Sequence, residues 1–208
     1  MNKLITFEGV DGSGKSTQIE FLKNKFDQLD IQYLSIREPG STVISENIRE
    51  ILLDNKNSQL CSEAESLLFM AARAQITSEA IIPTLEDGKF VICDRYIDST
   101  IAYQGYGRGL DIPFLKSINN YATRGNIPGL TFILDIDYEL SLHRRNRQEN
   151  DRMESGGGDF MNKVKGGYHQ IANEGERYKV INGDKPPKEV FKSVWQIIVN
   201  SYGDMNDQ

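Results

Sequence analysis

Eight residues near the amino terminus, Gly9-Val10-Asp11-Gly12-Ser13-Gly14-Lys15-Ser16, constrain this chain more than any other feature. They satisfy the pattern G-x-x-x-x-G-K-[ST]. Glycines there let consecutive backbone N–H groups turn inward around phosphate oxygens, the lysine supplies a point charge, and the final hydroxyl can ligate Mg²⁺. At average composition the string arises by chance in roughly one chain in a hundred of this length. Context narrows it further. The loop follows the strand-like Leu4-Ile5-Thr6-Phe7 and opens a stretch in which Ile19, Leu22, Phe26 and Leu29 keep helical spacing. A helix N-terminus behind the loop adds its dipole to an anion site. The alternative is a plain glycine turn between a strand and a helix.

The rest of the chain repeats this alternation. Runs rich in Ile, Val, Leu and Phe at Tyr33 to Ile36, Phe90 to Cys93, Thr131 to Leu134 and Tyr178 to Ile181 read as strands, with helix-period stretches between them. That is the βαβ pattern of a parallel sheet. The expectation is an α/β fold with one five-stranded parallel sheet and helices on both faces, in a single domain over residues 1–208. Ile44, Ile48, Ile51 and Leu52 fall at helical spacing, and Val190, Val194, Ile197 and Ile198 repeat it. Both predicted helices should therefore bury one apolar stripe.

Two places break the rhythm. Gln104 to Asp111 carries Gly105, Gly107 and Gly109 and reads as a flexible connection. Arg144 to Asp159 carries Arg144, Arg145, Arg147 and Arg152, then Gly156-Gly157-Gly158, with little apolar content. Such a segment cannot hold itself against a core; it reads as a surface loop or as a mobile Arg-rich lid over about 144–159 that orders on an anion. The polar tail 203–208 is expected to fray.

Composition limits the partners. Lysine and arginine number 24 against 30 aspartates and glutamates, a formal net charge of −6. No global field attracts nucleic acid or an anionic membrane, so polyanion binding needs a local concentration of positive charge. The longest apolar run, Leu67 to Ala72, is far shorter than the ~20 residues that span a bilayer. The start shows no secretory apolar region, and a cytoplasmic location is expected. Cys61 and Cys93 stand alone, with only His143 and His169 beside them, so neither a disulfide framework nor a zinc cluster is expected.

The loop alone does not choose among nucleotide-binding proteins. A GTP switch needs N-K-x-D after a late strand. Asn24-Lys25-Phe26-Asp27 has those letters but falls inside the first predicted helix, where it reads as a solvated face. A polynucleotide-handling ATPase needs a basic track that this charge balance lacks.

More specific strings follow. They are Arg37-Glu38-Pro39-Gly40 after the second strand, Phe69 to Arg73, Asp94-Arg95-Tyr96 closing the third strand, Ser99, Tyr103-Gln104-Gly105, and Asp151-Arg152-Met153-Glu154. Together with Ile5-Thr6-Phe7-Glu8-Gly9 leading into the loop, and in this order over about residues 3–200, they resemble the thymidylate kinases. The resemblance implies the fold of the P-loop nucleoside monophosphate kinases. It also implies phosphoryl transfer from ATP to dTMP, with Mg²⁺ as cofactor and a homodimer as the assembly.

The residues can then be weighed one by one. Gly9 to Ser16 and Thr17 would hold the ATP phosphates. Asp94, at the carboxyl end of an apolar strand, can join Ser16 at Mg²⁺ like a Walker B acid, and Arg95 can aim a fork of donors at a phosphate. A buried Asp94–Arg95 ion pair with no chemical role is the alternative. Phe69 and Arg73, four apart on one helix face, can stack a base and donate to a carbonyl oxygen; thymine offers O4 where cytosine presents an amino group. Core packing explains Phe69 alone equally well.

By resemblance Arg37 and Arg95 grip the acceptor phosphate. It also assigns stacking to Phe69, the O4 contact to Arg73, a base-edge contact to Thr100, and the sugar face to Tyr103. Ser99, Gln104 and Glu38 fall on the acceptor side. Asp11 cannot face ATP phosphates without repulsion; it is a turn-former or, by resemblance, reaches the acceptor's 3′-hydroxyl or the neighbouring arginines. Animal and yeast members carry an arginine where this chain has Gly12, whereas bacterial-type members place transition-state cations in the lid. On that ground Arg152 and Arg147 are expected at the transferring phosphoryl group and Arg144 along the adenine. A solvated charged helix face is the alternative for each of the three.

Two rivals remain at this stage. A deoxynucleoside kinase shares the loop and the Asp-Arg strand end but needs a base after its second strand, about where Glu38 stands. A non-enzymatic nucleotide switch is suggested by the loop alone.

Overall fold

The computed structural model describes residues 1–144, 152–153 and 157–203. In chain order its elements are β1 (Leu4–Glu8), α1 (Lys15–Gln28), β2 (Tyr33–Arg37), α2 (Val43–Leu53), α3 (Ser62–Ile76), α4 (Ile82–Glu86), β3 (Phe90–Asp94) and α5 (Ile97–Thr100). There follow α6 (Ile112–Thr123), β4 (Leu130–Asp135), α7 (Tyr138–Arg144), α8 (Gly157–Ala172), β5 (Tyr178–Asn182) and α9 (Pro187–Tyr202). The five expected strands are present, each within a residue or two of its sequence limits. They form one parallel sheet in the order β2-β3-β1-β4-β5.

The strand order explains where ligands can go. After β1 the chain crosses to β2 on one side, and after β3 it crosses back over β1 to β4. The crevice at the carboxyl ends of the strands opens at such a reversal. Register brings three residues together there, because Asp94 pairs with Phe7 on β1 and with Arg37 on β2.

The central strands β1, β3 and β4 are buried nearly throughout, as strands covered on both faces must be. Their alternation sends different chemistry to the two faces. Ile5, Phe7, Phe132 and Leu134 join Leu22 and Phe26 of α1 and Val190, Val194 and Ile198 of α9 in one apolar core, so the expected α9 stripe is buried. On the other face Thr6 and Glu8 are fully buried, and the Thr6 hydroxyl meets that of Thr131 at 2.8 Å.

Three expectations need correction. The α2 stripe is not buried: Leu52 is, but Ile44 and Ile51 are 51% and 46% exposed. Helix α2 packs on α3 through another face, where buried Ser45 donates its hydroxyl to the Ala72 carbonyl at 2.9 Å. Gln104 to Asp111 is no flexible connection either. Ile101–Gly107 is a π-helical turn continuing α5, with Gln104 and Gly105 buried. A Cβ on Gly107 would come within 2.6 Å of Phe160, so this glycine serves close packing against α8. Within the Arg-rich stretch, Gly157 and Gly158 open α8, and Arg152 and Met153 are buried. Arg145, Arg147 and most of the expected lid lie outside the described residues, as does the tail beyond Gly203.

Candidate active site

The phosphate loop closes over the end of β1. Gly9, Gly12 and Gly14 all have positive φ, and a Cβ on Gly9 would sit 2.5 Å from the Leu134 carbonyl oxygen, so the loop tolerates no side chain there. Lys15 is buried, and its Nζ donates to the carbonyls of Gly9 and Val10, each at 3.1 Å. Burial lowers its pKa, reinforced by Arg95 and opposed by Asp11. Ser16 donates its hydroxyl to Asp94 Oδ2 at 3.4 Å. The loop floors a cleft of about 750 Å³ whose walls include Ser16, Thr17, Arg37, Arg49, Asp94, Arg144 and Lys185.

A second, smaller pocket of about 100 Å³ opens behind it, lined by Phe69, Arg73, Ser99, Thr100, Tyr103 and Gln104 among others. Asp11, Glu38, Arg49 and Arg95 line both. The expected acceptor-side residues are thus brought together, with Arg95 at the junction.

Arg95 is held on several sides. Its backbone is left-handed at φ 66°, a conformation costing a non-glycine residue ~1–2 kcal/mol. That turn aims the side chain into the junction, where Nη2 donates to Asp11 Oδ1 at 2.7 Å and to the Tyr103 hydroxyl at 3.3 Å. Nη1 donates to the hydroxyls of Ser99 and Tyr168, each at 3.2 Å. Asp11 therefore pairs with Arg95, with Lys15 at 3.6 Å. Asp94 accepts from Ser16 instead of pairing with Arg95.

Beneath Arg95 lies Glu8. It accepts from the backbone N–H groups of Tyr96 and Ser99 and from the hydroxyls of Ser99 and Tyr168 at 2.6–3.3 Å. Burial, with Asp98 adding repulsion, pushes its pKa up to about 7.

Arg73 is almost wholly enclosed. Its Nε donates to Glu38 Oε2 at 2.7 Å, Nη1 to Thr100 and to Asn119 Oδ1 at 2.7 Å each, and Nη2 to the Tyr96 carbonyl at 3.0 Å. Thr100, expected at the base edge, spends its hydroxyl as an acceptor for Arg73. Burial raises the pKa of Glu38 while Arg73 opposes the rise. Phe69 remains half-buried on the pocket wall.

The arginines farther out behave differently. Arg37 forms a half-exposed pair with Glu46 at 2.9 Å. Arg144 donates Nη1 to the Gly183 carbonyl at 2.9 Å, beside Lys185, Pro187 and Val190. Arg152, expected at the transferring phosphoryl group, is instead buried between α2 and α3, donating to the Leu52 carbonyl at 2.8 Å and to Glu65 at 2.6 Å. It is absent from the lining of the phosphate cleft.

Sequence reasoning missed Arg49, which lines both pockets and donates to the Pro39 carbonyl at 2.8 Å. It also missed Lys185 in the cleft wall, and Asn119, Glu65 and Glu8, which orient other side chains. Arg49 sits on the polar side of the α2 pattern, which was a usable signal; the other four carried none beyond their residue type.

A parallel α/β sheet with a phosphate loop at its reversal point, whose cleft joins a second, smaller pocket through shared arginines, defines a P-loop nucleotide kinase. Comparison with known proteins narrows the class. The family model for thymidylate kinase matches residues 7–194. Thymidylate kinase of Carboxydothermus hydrogenoformans is 46% identical over 196 residues, covering 94% of each chain. That of Symbiobacterium thermophilum is 44% identical over 199 residues, covering 95% of this chain and 93% of its own. The crystal structure of thymidylate kinase from Ehrlichia chaffeensis superposes with a TM-score of 0.78 at 34% identity, covering 94% of this chain and 97% of that one. The chain belongs to the thymidylate kinase family.

Proposed function

We propose that this protein, acting as one kinase domain over residues 1–208, transfers the γ-phosphoryl group of ATP to the 5′-phosphate of dTMP, yielding ADP and dTDP. The observation that carries the reading is the meeting of two pockets at Arg95 and Arg49, with a phosphate loop on one side and the enclosed Arg73 beside Phe69 on the other. ATP phosphates lie on Gly9 to Thr17, with Lys15 as counter-charge and the adenine near Arg144 and Lys185. The dTMP phosphate lies between Arg95, Arg49 and Arg37, its base against Phe69 and Arg73.

The acceptor is a phosphate monoester whose second pKa of about 6 leaves it mostly dianionic at neutral pH, so no general base is required. The task is to align two polyanions, and this chain's residues do so by positioning and charge neutralisation. Ser16 and Asp94 converge as oxygen ligands of the kind Mg²⁺ takes beside phosphates, and they would hold it. When bound, the ion neutralises β- and γ-phosphate charge. Arg152 is not included among the phosphoryl contacts because, bonded to Glu65 and the Leu52 carbonyl, it does not line the phosphate cleft.

Glu38 bears on the deoxynucleoside kinase alternative. Its Oε2 is held by Arg73 Nε at 2.7 Å and so orders the base pocket, and turnover of thymidine against dTMP separates the two readings. The exposed Val43, Ile44 and Ile51 on α2 and Leu67 on α3 support a homodimer that covers this face, and a cytoplasmic location is part of the same proposal.

The deciding assay measures ADP formation from Mg-ATP with dTMP, dUMP, UMP, AMP, CMP, GMP and thymidine supplied singly. Preferred turnover of dTMP is expected; turnover of thymidine without dTMP overturns the reading. Sedimentation of wild type and Ile44→Glu tests the assembly, with a dimer expected only for the former.

A further inference from the structure

Glu65 lies on α3 one turn before Phe69 and is 1% exposed. Its Oε1 accepts from Gln104 Nε2 at 2.9 Å and from Arg108 Nε at 3.3 Å. Its Oε2 accepts from Arg152 Nη1 at 2.6 Å and from Arg108 Nη2 at 3.2 Å. A carboxylate between two guanidinium groups offers only acceptors, so the nitrogen end of the Gln104 amide has to face it.

Gln104 is itself 1% exposed and lines the pocket that holds Phe69, Arg73, Thr100 and Tyr103. With one Nε2–H bonded to Glu65, the amide turns its carbonyl oxygen away from that carboxylate and offers it to this pocket. A pyrimidine there meets the second Nη2–H of Arg73 as donor and the Gln104 oxygen as acceptor. Thymine and uracil fit this pair, presenting O4 as acceptor beside N3–H as donor. Cytosine reverses both, so its N3 lone pair would face the Gln104 oxygen and its amino group would face Arg73; buried mismatches of this kind carry the largest discrimination.

Resting on the reading of this pocket as the dTMP site, we infer that Glu65 is a specificity-determining positioning residue, which fixes the Gln104 amide with its oxygen toward the base so that the pocket takes an imide N3–H. Glu65 touches no substrate. It sets the polarity of a side chain that does, and the same carboxylate anchors Arg152.

Glu65→Gln tests this with shape nearly preserved. The new amide keeps its oxygen on Arg152 Nη1 and Arg108 Nη2, the stronger donors, at the cost of the longer Arg108 Nε contact, and turns its NH₂ toward Gln104, whose own amide then rotates to present Nε2 to the base. The readout is the ratio of kcat/KM for dTMP to that for 5-methyl-dCMP, which shares sugar, phosphate and methyl group. The ratio is expected to fall at least tenfold, through the KM of the nucleotide, with the KM of ATP unchanged. Equal losses on both substrates would make Glu65 a purely structural residue and overturn the inference. Should Glu65→Gln not fold, Gln104→Leu decides the same point: removal of the acceptor lowers the ratio, and a ratio held within twofold of wild type overturns the inference. Failure of the wild-type protein to phosphorylate dTMP at all would instead reject the substrate assignment on which this rests.

Discussion

In the acceptor pocket Arg73 and Arg95 are matched by carboxylates, Glu38 and Asp11, at 2.7 Å each. Across the junction, Lys15 and Arg144 lean on backbone carbonyls of Gly9, Val10 and Gly183 at 2.9–3.1 Å, with Asp11 more distant from Lys15 at 3.6 Å. The difference separates two jobs. Both pairs fix a geometry before any ligand arrives; Arg73–Glu38 is fully buried, so removing one partner there strands a charge in the core, whereas Asp11 is partly open to solvent. A cation resting on carbonyls is held in place yet gains strongly when a phosphate oxygen replaces them. Damage in the first region should therefore appear as lost recognition and stability, and damage in the second as lost turnover or ATP affinity.

The sharpest break is Lys15→Ala. Turnover should fall about 1,000-fold, or ~4 kcal/mol of transition-state stabilisation, while the dTMP KM stays within about threefold. Steady-state kinetics with both substrates varied checks this. A large rise in dTMP KM would mean that Lys15 serves the acceptor side and that the two regions are not separable.

Arg73→Ala probes the other region. We expect kcat/KM for dTMP to drop about 100-fold, ~2.7 kcal/mol, mostly through KM, with the ATP KM unchanged. The thermal midpoint should fall as well, because Glu38 keeps a buried carboxylate without its partner. Arg73→Lys should not restore recognition, since an ammonium cannot reach Glu38, Thr100, Asn119 and the Tyr96 carbonyl from one planar fork. A variant with unchanged melting and unchanged dTMP use would refute the pre-organised pocket.

Glu8 links stability to pH. Its folded pKa of about 7 lies above the ordinary 4.5, so the folded state holds a proton that the unfolded chain has lost between those values. The stability it contributes is present below 4.5, declines as pH rises, and is gone above 7. Burial is the main cause, with Asp98 adding repulsion while Arg95, Ser99 and Tyr96 favour the charged form. Between pH 5 and 8 wild type should lose on the order of 2 kcal/mol that Glu8→Gln does not, measured by urea unfolding at each pH. Parallel curves for the two proteins would show that Glu8 is already charged in the folded state.

These contrasts also mark what could be read before the fold was seen. Strands, loop and the residues at strand ends were legible because each obeys a local rule: period, glycine spacing or the carboxyl-end position. The role of Gly107 is not legible locally because it depends on Phe160, more than fifty residues away. Ile44 and Ile51 were assigned inward because periodicity reports that a stripe exists, not which surface covers it. Arg152 followed the resemblance to a phosphoryl contact, whereas its partner Glu65 sits on α3, and no pattern links the two in sequence. Long-range pairing of polar groups has no period, so Glu8, Asn119 and Glu65 emerged only from the assembled structure.

The smallest effect belongs to Arg144, and it tests where the donor cleft ends. This exposed last residue of α7 reaches the Gly183 carbonyl in the connection between β5 and α9, opposite Val190. A guanidinium lying along a purine face is worth about 0.5–1 kcal/mol at an exposed site. Arg144→Ala should therefore raise the ATP KM about three- to fivefold, ~1 kcal/mol at most, and leave both dTMP KM and melting temperature where they were. Because Arg144 makes no buried ion pair among the described residues, it has no such partner there to strand. A fall in melting temperature would reveal a structural role for the Gly183 contact, and a shift in dTMP KM would place Arg144 on the acceptor side, erasing the boundary that the other variants draw.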